Sequence, residues 1–127
     1  MSKQIKPTES ELEILNILWA KGPSTVRDVH EILERSKDAG YTTSLKLMQI
    51  MHEKGLLKRN TDSKTHIYEA AVSQQQTQGQ IVQRMIDTAF NGSAMQLVMQ
   101  ALGNHKTSKE ELEQIKQYLE KMEGKQD

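Results

Sequence analysis

The chain contains no cysteine in its 127 residues. Disulfide staples, thiolate metal sites and a cysteine nucleophile are therefore excluded. Aromatic residues make up 4% of the sequence and hydrophobic residues 35%, a lean supply for a self-sufficient globule. The shortfall predicts that apolar surface is buried between subunits instead. No apolar run approaches the ~18 residues that a membrane span requires. The opening MSKQIKPTESE also lacks the apolar stretch of a secretory leader. A cytoplasmic protein without membrane insertion is expected. The formal net charge is zero, which argues against a protein that coats nucleic acid indiscriminately.

Catalytic groupings are missing as well. The histidines are His30, His52, His66 and His105. None stands three or four residues from another, and no carboxylate completes a zinc pattern around them. No serine or threonine sits in a nucleophile-elbow sequence, and no glycine-rich loop is shaped to cradle phosphate. Glu110, Glu111 and Glu113 open a helix, where acidic side chains favour the macrodipole. The expectation is a chain that is not an enzyme and uses no metal or cofactor.

What the sequence does contain is helix punctuation. Thr8 followed by Glu11 forms a capping box, and an apolar face of Leu12, Ile14, Leu15, Ile17, Leu18 and Trp19 follows. Gly22-Pro23 ends this helix. Ser24 or Thr25 caps a second, striped by Val26, Val29, Ile32 and Leu33. After a loop from Ser36 to Gly40, a third helix is predicted from Thr42 or Thr43 to the glycine stop at Gly55. Leu57–Asn60 and Thr65–Glu69 then read as two short strands around a turn at Thr61–Lys64.

Composition shifts at Ser73 to the glutamine-rich run SQQQTQGQ. Ile81, Val82, Met85, Ile86, Ala89 and Phe90 follow at helical spacing, and Asn91-Gly92 breaks the helix. Ser93 caps a short helix carrying Met95, Val98, Met99, Ala101 and Leu102, and Gly103 ends it. Ser108 with Glu111 forms another capping box, before Leu112, Ile115, Leu119 and Met122 at offsets of three, four and three. That spacing is a heptad-like seam. The fold class is thus mainly α with a small β-hairpin. Residues 1–72 read as a winged helix-turn-helix domain and residues 73–127 as a three-helix dimerisation domain. Three short amphipathic helices seldom hold a core alone. Their stripes, Ile81, Met85, Ile86, Phe90, Leu97, Val98, Leu102, Leu112, Ile115, Leu119 and Met122, are expected to meet those of a second copy.

Residues 41–66 carry Lys46, Lys54, Lys58, Arg59 and Lys64 against Glu53 and Asp62, a local basic excess. A helix followed by a basic hairpin suits the major groove of DNA and the flanking phosphates. Tyr41, Thr42, Thr43 and Ser44 would offer hydroxyls at the helix tip. Lys46 and Gln49 would reach base edges, since Gln pairs adenine in bidentate fashion and Lys reaches guanine or phosphate. Lys58, Arg59, Lys64 and His66 on the hairpin would straddle the backbone, adding affinity and salt dependence. Leu47, Met48 and Met51 should pack on Leu15, Leu18, Val29 and Leu33, whereas Leu45 and Ile50 fall on neither stripe. The partner implied is an operator in double-stranded DNA. The alternative left open is a winged helix used as a protein-interaction module without DNA binding.

The segments PTESELEILNILWAKGPSTVRDV and YTTSLKLMQIMHEKGLLKR, the hairpin ending in HIYEA, and the later NGSAMQLVMQAL and SKEELEQIKQYLEK together resemble the penicillinase-repressor family (the BlaI/MecI/CopY type). The likeness covers roughly residues 6–122. It implies a homodimer that binds a palindromic operator and represses transcription. In family members that govern beta-lactam resistance, it further implies a membrane sensor protease that triggers cleavage in the dimerisation domain. The matching place here is near Gln100-Ala101, without the Asn-Phe bond of the best-known members. The cysteine metal site of the copper-responsive branch has no counterpart. Leu45 and Ile50 stand where some members carry Arg, so the operator sequence does not carry over.

Overall fold

The computed structural model describes residues 6–125. Its first helix, α1 (Glu9–Lys21), starts as its sequence dictates. The Glu11 backbone N–H donates to the Thr8 hydroxyl at 3.2 Å, and the Thr8 N–H donates back to the Glu11 carboxylate at 2.9 Å. Gly22 stops the helix with a φ of 90°, a conformation that a side chain disfavours. Thr25 and Asp28 form the same reciprocal cap on α2 (Val26–Leu33). The next helix, α3 (Tyr41–Lys54), begins a residue or two before the expected hydroxyls. Gly40 occupies its N-cap without a side-chain cap, and Gly55 ends it at a φ of 88°.

Strand β1 (Leu57–Asn60) pairs antiparallel with β2 (Ile67–Ala70), with Arg59 opposite Tyr68 and Lys58 opposite Glu69. The second strand starts two residues later than its sequence suggests. The intervening turn is held by its own side chains: Asp62 N–H donates to the Asn60 side chain at 2.9 Å, and the Ser63 hydroxyl donates to the Thr65 carbonyl at 2.6 Å. Ser24 is a bridge rather than a cap. Its N–H donates to the Tyr68 carbonyl at 2.9 Å and its carbonyl accepts from the Tyr68 N–H at 2.8 Å, so the loop before α2 lines the hairpin's inner edge.

Behind these elements lies one core: Ile14, Leu15 and Leu18 from α1, Val26, Val29 and Leu33 from α2, Met48 and Met51 from α3, and Leu56, Leu57 and Tyr68 from the hairpin region. The expected packing of α3 on the first two helices is therefore present, with Leu47 and Leu45 partly buried at its margin. Trp19 donates its indole N–H to the Val72 carbonyl at 3.0 Å, tying the end of the hairpin to α1.

Glu11 is 2% exposed, which sequence alone did not suggest. Beyond its capping role it accepts two hydrogen bonds from Lys54 Nζ, at 2.8 and 2.9 Å. This pair locks the start of α1 to the end of α3 and takes Lys54 out of the basic patch. Burial opposes ionisation of Glu11, but the bonds from Lys54 and Thr8 outweigh it and hold the pKa below the ordinary 4.5. A carboxylate with a depressed native pKa contributes stability that is full above its unfolded value and lost as pH falls through its native value. Denaturant midpoints measured below pH 4.5 should therefore fall less steeply with acid in Glu11→Gln than in the parent chain; parallel acid slopes would contradict this.

The chain divides into two compact units, one ending at Gly79 and the other starting at Gln80. Helix α4 (Gln74–Thr88) runs through that point. It closes at Asn91 and Gly92, both at positive φ, as an Asn-Gly pair allows. Ser93 caps α5 (Ala94–Asn104), which continues one residue past the expected stop at Gly103. The predicted capping box of Ser108 and Glu111 opens α6 (Lys109–Gly124). Six helices and one two-stranded sheet are thus present among the described residues. Helices α5 and α6 bury no side chain. Val82, Met85, Met95, Val98, Met99, Leu112, Leu119 and Met122 are all exposed, while Ile81, Ile86, Phe90, Leu97, Leu102 and Ile115 are half-buried.

Candidate nucleic-acid interface

The inward stripe of α3 is Ser44, Met48 and Met51, at the i, i+4, i+7 spacing of one helix face. Leu45, Leu47 and His52 are half-buried at its margins, and other positions fall outward. Thr42, Thr43, Lys46, Gln49 and Ile50 are exposed, and Tyr41 is 40% exposed. Ser44 corrects the sequence reading, which grouped it with the exposed hydroxyls. It is 2% exposed, because its position shares a face with the two methionines. Its hydroxyl lies 2.9 Å from Nδ1 of His30.

His30 is itself buried on α2 and joins that helix to α3. Its Nε2 lies 2.7 Å from Glu34 Oε1. A carboxylate can only accept, so Nε2 carries a hydrogen, and in the neutral ring Nδ1 accepts from the Ser44 hydroxyl. The Tyr41 ring meets the His30 ring edge-on at 5.6 Å, and the Arg27 guanidinium lies 5.2 Å from the centre of the Tyr41 ring. The first turn of α3 is thus fixed by an aromatic contact, a buried hydrogen bond and a cation over a ring.

A cleft of about 570 Å3 runs between α3, the start of α2 and the hairpin. Tyr41, Leu45 and Gln49 line it from α3, Thr25, Val26 and Arg27 from α2, and Lys64, Thr65, His66 and Tyr68 from the hairpin. The four-residue spacing of Tyr41, Leu45 and Gln49 explains their common orientation. Leu45 thereby finds its place, half on the core and half on the cleft floor. Three basic side chains line the cleft and no carboxylate does, so the cleft favours an anionic ligand.

The hairpin's basic residues do not act as one group. Directly opposed residues on paired strands share a face, so Arg59 points to the side of Tyr68 and Lys58 to the other, with Glu69. Lys58 and Arg59 nonetheless both line a separate cleft of about 230 Å3, with Pro23, Asn60, Ile67 and Glu69. Arg59 is half-buried, and its Nε has no hydrogen-bond partner among the described residues. Lys64 and His66 do come together at the large cleft. Arg27 belongs with them and was overlooked in the sequence. The signal was available: it is a basic residue in the first turn of α2, the helix preceding α3.

Among the described residues no group of three or more His, Asp and Glu can hold a metal ion, and no helix is long and apolar enough to cross a membrane.

Comparison with known proteins covers nearly the same span as these elements. The family model described as penicillinase repressor matches residues 7–121. The chain is similar to the methicillin resistance regulatory protein MecI of Staphylococcus aureus (strain N315), at 23% identity over 94% of this chain and 98% of that protein. It is similar to the penicillinase repressor of Staphylococcus aureus, at 18% identity over 93% of this chain and 94% of that one. The transcriptional regulator BlaI of Mycobacterium tuberculosis (strain ATCC 25618 / H37Rv) is 33% identical over 54% of this chain and 50% of its own length.

Proposed function

We propose, from the premise that this chain belongs to the penicillinase repressor family, that it represses transcription as a homodimer seated on a two-fold-symmetric DNA operator. The family is one of transcriptional regulators and not of enzymes. The observation that carries the DNA reading is the outward strip of α3, Thr42, Thr43, Lys46 and Gln49, flanked by a cleft whose charged side chains are all basic. The strip supplies hydrogen-bonding groups for base edges in the major groove, while Arg27, Lys64 and His66 hold the adjoining backbone. Residues 1–72 are the reading domain and residues 73–127 the clasp. The support for the clasp is the row of exposed apolar side chains on α4 to α6, which a second copy would cover. Two reading heads held together convert the second half-site contact into an intramolecular event.

Relief by proteolysis belongs to the same reading. Gln100 and Ala101 are exposed within α5. Cutting between them by a partner protease would detach α6 with Leu112, Ile115, Leu119 and Met122.

The test is selection of bound duplexes from a random library, followed by gel retardation. Lys46→Ala and Gln49→Ala are each expected to lower the preference for one base by roughly tenfold, the discrimination of a bidentate contact. Arg27→Ala should instead weaken every duplex alike and lower the slope of log affinity against log salt by about one. An equal loss on all sequences for Lys46→Ala and Gln49→Ala would contradict base reading. Failure to retain any duplex would favour the protein-interaction module.

A further inference from the structure

One side chain on the outward strip of α3 cannot make a hydrogen bond. Ile50 is 38% exposed. It stands further out than its apolar neighbours on the helix: Leu45 and Leu47 are partly buried against the core cluster, and Ile50 is exposed. Its neighbours on the helix surface are Lys46 and Leu47 one turn before it and Glu53 and Lys54 one turn after it; Lys46 and Glu53 are exposed, Leu47 is partly buried, and Lys54 is turned to Glu11.

A single exposed isoleucine is unremarkable on an ordinary protein surface. On a surface that meets base edges it has a chemical consequence. Guanine, cytosine and adenine present donors and acceptors along the major groove. An apolar side chain pressed on those groups strips their water and returns no hydrogen bond, which is costly. The major groove offers one apolar group, the C5-methyl of thymine. From this we infer that Ile50 is a specificity-determining residue, which selects thymine at one position of each half-site by covering that methyl. The inference rests on the DNA reading above and adds a base to it.

The test uses the full-length chain and a duplex selected by it. Each thymine is replaced in turn by deoxyuridine, which keeps every hydrogen-bonding group and removes only the methyl. At the position under Ile50, wild-type affinity should fall about fourfold, the value of one buried methyl. Ile50→Ala should bind the thymine and deoxyuridine duplexes equally there and keep the wild-type response at every other position. Ile50→Leu, which still presents an apolar group, should retain most of the difference. A deoxyuridine penalty in Ile50→Ala equal to that of wild type at every position would overturn the inference while leaving DNA binding intact. So would a wild-type protein indifferent to every methyl. A wild-type protein that retains no duplex would overturn both this inference and the DNA-binding reading.

Discussion

Leu119→Asp is expected to turn a dimer into monomers and to cut affinity for a two-half-site operator by a hundredfold or more. Leu119 is 52% exposed in the single chain and lies in the seam with Leu112, Ile115 and Met122 on α6. In a dimer it would be covered, and a carboxylate there would be drawn from water into an apolar seam. Loss of the second half-site forfeits the effective concentration that linkage supplies, a factor of ~10²–10⁴. Affinity for an isolated half-site should stay unchanged, because residue 119 lies far along the chain from the reading helix. The helices after Gly79 should also lose ellipticity, since α5 and α6 fully bury no side chain within one chain. Sedimentation velocity and titration of whole and half operators check the three effects together. A variant that still sediments as a dimer would place the interface elsewhere.

Tyr68→Ala should be the most damaging single change to the reading domain, at about 3–5 kcal/mol of folding free energy, the usual cost of emptying a buried aromatic site. Tyr68 is 1% exposed. Its ring fills the core beside Leu56 and Leu57, and its backbone exchanges two hydrogen bonds with Ser24. It also forms part of the cleft's floor. Domains of this size hold only ~5–15 kcal/mol in total, so the variant should lie near its unfolding midpoint and bind DNA weakly in consequence. Tyr68→Phe keeps the ring and should retain most of the stability. Urea denaturation followed by circular dichroism measures both. A loss below about 1 kcal/mol for the alanine variant would mean the site collapses around the missing ring.

Much of the fold was legible because its signals are local. Thr8 with Glu11, Ser108 with Glu111, and the glycines at 22 and 55 each mark a helix end through bonds or angles that span a few residues. The stripe Leu47, Met48 and Met51 gave the inner side of α3 by periodicity alone. What was not legible depended on partners distant in the chain. Ser44 read as a groove hydroxyl because its type suits one; only His30, fourteen residues earlier, shows that it is engaged inside. Glu11 read as a cap, and its second partner, Lys54, lies 43 residues away. Lys58, Arg59, Lys64 and His66 read as one group because the hairpin carries them all, yet Lys64 and His66 line one cleft and Lys58 and Arg59 another. Ile50 and Leu45 fitted no stripe, since a helix with two different jobs on its surface has no single period.

The inner positions of α3, Ser44, Met48 and Met51, are committed to folding, with Leu45 and Leu47 at the margin, while Thr42, Thr43, Lys46, Gln49 and Ile50 are exposed. If α3 reads DNA as proposed, mutational drift at those outer positions would alter which operator is bound without risking collapse of the scaffold. A gene duplicate could acquire a new set of target promoters through changes at positions 42, 43, 46, 49 and 50 alone, inheriting its architecture unaltered.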